Sequence, residues 1–118
     1  MRTAIITIIM AILIAIPVNG KVLNARDGVN NYQGHKETYY NKPMQNVVKK
    51  ADAAGLGGWY WVRQDGVKMY GYFVICAADY DQHAYGSIVE TSLGLGIVLD
   101  TGVFKEKDNS IVDIAVVW

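Results

Sequence analysis

Apolar and polar positions divide the chain into three stretches with different rhythms. Ala4 to Val18 is an almost unbroken apolar run, with Arg2 before it and Pro17-Val18-Asn19-Gly20 closing it. A basic start, a short apolar segment and small residues at its end form the layout of a secretory signal. Residues 1–20 are therefore expected to be a leader cut before Lys21; the run falls short of the roughly 18 residues that a spanning helix needs. An uncleaved anchor is the alternative.

From Lys21 to Lys42 the chain is polar and punctuated by Gly28, Asn30, Asn31 and Gly34, which predicts a loop or extended lead-in. Helical spacing follows. Asn41 and Pro43 suit a helix start, Met44, Val47, Val48 and Ala51 share one face, and Gly55, Gly57 and Gly58 end it.

Beyond Gly58 the rhythm is that of strands. Trp59 to Arg63 is followed by the turn Gln64-Asp65-Gly66 and a run from Val67 to Ala78 broken at Gly71, a hairpin signal. Further strands are expected over Ser87–Thr91, Leu95–Leu99 and Ile111–Trp118. Short strands after one helix predict a mainly β domain built as a small barrel rather than a layered α/β sheet. The expected organisation is a leader (1–20), a lead-in loop and helix (21–57) and a β-barrel (58–118).

The chain of 118 residues has 52% apolar and 19% charged residues, enough to fold around one core. Its 11 basic and 11 acidic residues balance; Arg2 is the only charge in the leader, so the remainder carries 10 against 11, a net charge of −1. Basic residues are scattered, so neither a nucleic-acid stripe nor a polybasic membrane patch is expected. The single cysteine, Cys76, lies in an apolar run and reads as a buried thiol, leaving stability to the core.

Three acids stand among apolar neighbours. Asp79 ends the run Val74 to Ala78, Asp100 ends Ile97-Val98-Leu99, and Asp113 lies inside Ile111 to Val117. A turn role suits Asp100-Thr101-Gly102, but Asp113 has no turn residues on either side. A carboxylate inside a strand that is apolar on both faces must be paired, protonated or lining a cleft.

In order and spacing, Ala77-Ala78-Asp79, Gly86-Ser87-Ile88-Val89, Gly94 to Gly102 and Val112-Asp113-Ile114 resemble the three-aspartate "3D" domain of Gram-positive cell-wall proteins. That domain is related to the barrel of MltA-type lytic transglycosylases. The resemblance spans roughly residues 72–118 and implies a six-stranded double-psi β-barrel whose three acids, Asp79, Asp100 and Asp113, meet in a glycan-binding groove. It implies cleavage of peptidoglycan between MurNAc and GlcNAc, with Asp113 as general acid and base. No water is needed, because the sugar's own 6-hydroxyl closes an anhydro ring. Two departures stand out: Val103 to Lys107 follow the Asp-Thr-Gly element in place of a glycine-rich loop, and the interval from Asp100 to Asp113 is longer.

Asp81 is a second candidate for the first acid. Thr101, Glu90 and the pair Trp59 and Trp61, on one face of their strand, are candidate substrate contacts, although such tryptophans are commonly core. The expected protein is a secreted, wall-associated monomer without cofactor, metal, nucleic acid or, once the leader is gone, membrane as partner. Its alternative is a non-catalytic wall-binding barrel. Asp100-Thr101-Gly102 also resembles the aspartic protease element, but too few residues follow it for that fold. Asp79, Asp81 and His83 alternate in the manner of metal ligands, yet a solvated loop explains them better.

Overall fold

The computed structural model describes residues 21–102 and 110–118, so the expected leader and the segment from Val103 to Lys107 lie outside the described residues. The elements are β1 (Val29–Tyr32), β2 (His35–Tyr40), α1 (Gln45–Ala53), β3 (Tyr60–Val62), β4 (Lys68–Tyr70), β5 (Phe73–Ala77), β6 (Ile88–Thr91), β7 (Gly94–Asp100) and β8 (Val112–Ala115). The protein is mainly β with one described helix.

The expected loop over residues 21–42 is corrected: it holds the hairpin of β1 and β2. Tyr32 pairs with His35, and Gln33 and Gly34 between them both have positive φ, 48° and 83°. That is the primed turn whose twist matches a hairpin. The break foreseen at Gly71 is a second tight turn: Tyr70 pairs with Phe73, and Gly71 alone takes a positive φ of 60°.

All eight strands belong to one sheet. Its main path runs β1-β2-β8-β5-β4-β3, with β7 on β5 and β6 on β7. Six of the strands, β3 to β8, fall within residues 58–118 as expected, while β1 and β2 from the lead-in join the same sheet, and the ladder is open rather than closed among the described residues. Two pairs are parallel, β2 with β8 and β5 with β7; the β8–β5 pair between them is antiparallel. Strands from both sides of residue 58 thus share one sheet.

β5 sits at the centre and is apolar on both faces, as a strand covered on both sides should be. Val74 and Cys76 join Leu23, Met69, Val98, Val112, Ile114 and Val116 on one face. Ile75 joins Ile97, Leu99 and Ala115 on the other, where Met44, Val47 and Ala51 of the α1 region cover them. The apolar stripe foreseen for the helix is the stripe it buries. Cys76 is wholly buried, and that burial pushes its thiol far above the ordinary range.

Candidate functional site

Thr38 on β2 pairs with Asp113 on β8, Asp113 pairs with Ala77 on β5, and Ala77 pairs with Asp100 on β7. Residues paired across strands point to the same face, so these four form one row across four strands. A β-bulge makes the row possible. The register shifts between Cys76 and Ala77, so that Asp100, rather than Leu99, stands opposite Ala77. One extra residue re-aims a side chain in this way at the cost of a local break in the ladder.

Asp100 is held from several directions. Its Oδ2 accepts the Tyr40 hydroxyl at 3.0 Å and lies 2.8 Å from the Lys42 ammonium, while its Oδ1 accepts the Thr101 N–H at 2.9 Å. The Asp100 side chain is only 13% exposed and Lys42 47%, so the pair lies at the margin of the site, within reach of water. Burial, followed by the charge of Asp100, pushes the Tyr40 hydroxyl far above its usual range. Tyr40 therefore serves as a fixed donor.

Asp113 is half-buried, and its Oδ1 accepts the Thr38 hydroxyl at 2.9 Å. Burial raises its pKa above the ordinary aspartate range; the Thr38 bond opposes this, and the charge of Asp100 adds to the rise. Desolvation disfavours the charged form of an acid, and a neighbouring like charge does the same. The row thus holds two unlike carboxyls, one ion-paired and one drawn toward its neutral form.

Of the other expected site residues, Thr101 alone lies beside the row. Asp79, two positions beyond Ala77, turns its carboxylate onto its own loop, where Oδ1 accepts the Asp81 N–H at 2.9 Å. Its backbone oxygen accepts the N–H groups of Gln82 and His83, so this acid organises a turn. Asp81 is exposed on that turn. Thr101 donates its hydroxyl to the Ala78 oxygen at 2.9 Å and thereby clamps the ends of β5 and β7 beside the row. Glu90 is exposed and pairs with Leu95, five residues along β7 from Asp100, about 17 Å away at the rise of a strand.

Trp59 and Trp61 are 51% and 38% exposed and lie at β3, with β4 between them and β5. They are not core. The Trp61 indole N–H donates to the Gly71 oxygen at 2.7 Å, and Trp59 meets Tyr72 edge-on at 5.2 Å. Among the described residues, no three His, Cys, Asp or Glu side chains gather as a metal site.

Thr38, Tyr40 and Lys42 contact the two acids and were not singled out from the sequence. The alternation of Thr38, Tyr40 and Lys42 along an extended chain was the available signal, hidden because the stretch is polar. A cavity of about 630 Å³ lies between α1 and the β3–β4 ribbon, and its walls include neither Asp100 nor Asp113. No protein-family model, no curated protein and no solved structure matches the chain.

Proposed function

We propose that the protein is an exported, wall-associated glycan-cleaving protein of the lytic transglycosylase type, acting on peptidoglycan strands as a monomer without a cofactor. The observation that carries this reading is the inequality of the two acids in one row. Asp113 is the carboxyl whose surroundings favour the protonated form, and a protonated carboxyl is what a glycosidic oxygen needs in order to leave. Asp100 is engaged by Lys42 and Tyr40 and is poorly placed to act as a nucleophile.

Cleavage by one acid suits such a site. Asp113 gives its proton to the bridging oxygen between the two sugars, then takes a proton from the 6-hydroxyl as that oxygen closes onto the anomeric carbon. Bond breaking and ring closure balance without added water, and the carboxyl returns to its starting state. The Tyr40–Asp100–Lys42 cluster would orient the sugar hydroxyls beside it. On this reading the parallel pairs β2–β8 and β5–β7, which flank the antiparallel β8–β5 pair, correspond to the crossovers of a double-psi barrel whose ladder is left open among the described residues, and residues 1–20 are the leader that exports it.

One observation favours a second reading, a module that binds the glycan without cutting it. Asp79 spends its carboxylate on its own turn and leaves the third acidic position outside the row. Purified peptidoglycan incubated with wild type and with Asp113→Asn separates the two. Release of anhydro-muropeptides by wild type alone is the expected result. Binding by both proteins with no product from either would replace the catalytic reading with the second one, and absence of binding would remove both.

A further inference from the structure

Lys68 is a buried cation without an acid. It is 5% exposed, and no carboxylate among the described residues lies within ion-pair distance of it. Its ammonium donates to the Asn41 side-chain oxygen and the Lys42 backbone oxygen, both at 2.6 Å. An ammonium has three hydrogens to give, so one is left over. A buried charge compensated only by neutral oxygens is expensive, and burial accordingly lowers the pKa of Lys68.

Lys68 also lines the cavity of about 630 Å³ between α1 and β3–β4, within the size range of small-molecule sites. Pro43, Met44, Val48 and Tyr60 supply an apolar wall. The one acid of the lining, Asp52, already accepts the Tyr70 hydroxyl at 2.7 Å, whereas Lys49 adds a second positive charge. The cavity is therefore greasy in body and positive in balance. Neither property serves the acid row, whose residues it does not include.

We propose that this cavity is a binding site for an aliphatic carboxylic acid, whose chain lies along Met44, Val48 and Tyr60 and whose carboxylate takes the remaining hydrogen of Lys68. The ligand supplies the missing counter-charge, and the apolar wall supplies the contact area. The lining also includes Gln45, a partner for the amide groups of a peptide terminus, so a dipeptide is the competing ligand to exclude.

The test is titration of the purified protein with octanoate, 1-octanol and N-acetyl-alanyl-alanine, followed by calorimetry and by backbone NMR shifts around α1 and β4. Octanoate is expected to bind saturably and at least tenfold more tightly than 1-octanol. Lys68→Met should weaken it at least tenfold, Lys68→Arg should retain most of the affinity, and Val48→Trp should fill the cavity and abolish binding. If Lys68→Met does not fold, Val48→Trp decides: unchanged affinity overturns the site. Absence of saturable octanoate binding, equal binding of 1-octanol, or tighter binding of the dipeptide overturns the proposal as well.

Discussion

Asp100 and Asp113 stand on opposite sides of Ala77, one strand away on each flank and in the same row of the sheet. At the usual strand spacing their backbones are about 10 Å apart. Their side chains share a face because of the bulge at Cys76/Ala77, which brings Asp100 rather than Leu99 opposite Ala77. Local backbone irregularity sets the geometry of the acids, and their unequal partners then separate their chemistry.

The raised pKa of Asp113 makes a prediction about stability. Between the ordinary value of 3.8 and the higher folded value, the native state holds more protons than the unfolded chain. Stability therefore falls as pH rises through that window, and ionised Asp113 is a burden at neutral pH. Asp113→Asn should melt at a higher temperature than wild type near neutrality, because an amide oxygen still accepts the Thr38 hydroxyl. The difference should vanish below pH 3.8; melting curves across the acid range would show an advantage independent of pH if burial were not the cause.

Glu37 is a second buried acid, held in a different way. It is wholly buried on the opposite face, where its carboxylate accepts the Asn30 amide at 3.0 Å, the Ser92 hydroxyl at 2.6 Å and the Ser92 N–H at 2.8 Å. It thereby ties β1 and β2 to the β6–β7 turn. Removing it strands three donors, so Glu37→Ala should cost on the order of 3 kcal/mol in urea unfolding. Glu37→Gln keeps an acceptor oxygen and should cost clearly less.

Gly96 is a packing requirement rather than a turn residue. A Cβ there would lie 2.6 Å from the Cys76 Sγ and 3.1 Å from the Thr91 Cγ2. Gly96→Ala should destabilise the fold by about 1–3 kcal/mol through overpacking. Adding Cys76→Ala should recover part of that loss, measured as a favourable coupling in a double-mutant cycle. Simple additivity of the two single losses would show that the sulfur is not what the new methyl meets.

Elements with local causes were legible in the sequence. The helix came from its apolar stripe, the β3–β4 hairpin from Asp65-Gly66, and the unusual setting of Asp113 from its apolar strand. β1 and β2 were not legible. The buried position at the centre of His35–Tyr40 is Glu37, so the expected apolar alternation is missing. Its partners Asn30 and Ser92 come from other elements, and β2 is paired along its other edge by β8, far along the chain. Tertiary context thus overrode composition. The same distance hid Thr38, Tyr40 and Lys42 from the site, while the bulge that positions Asp100 leaves no mark in residue type. Asp79 looked like its companions by neighbourhood alone and proved to be a turn former.

The parallel pairing of β2 with β8 also bears on how the protein comes to be. Two crossing segments from far ends of the polypeptide have to meet before Thr38 can find Asp113, and such remote encounters are the slow part of assembling a sheet. The acid row therefore waits on that long-range contact. A chain in which β2 and β8 have not met would lack the row of Thr38, Asp113, Ala77 and Asp100, so under the proposed function its chemistry would wait on the completed sheet.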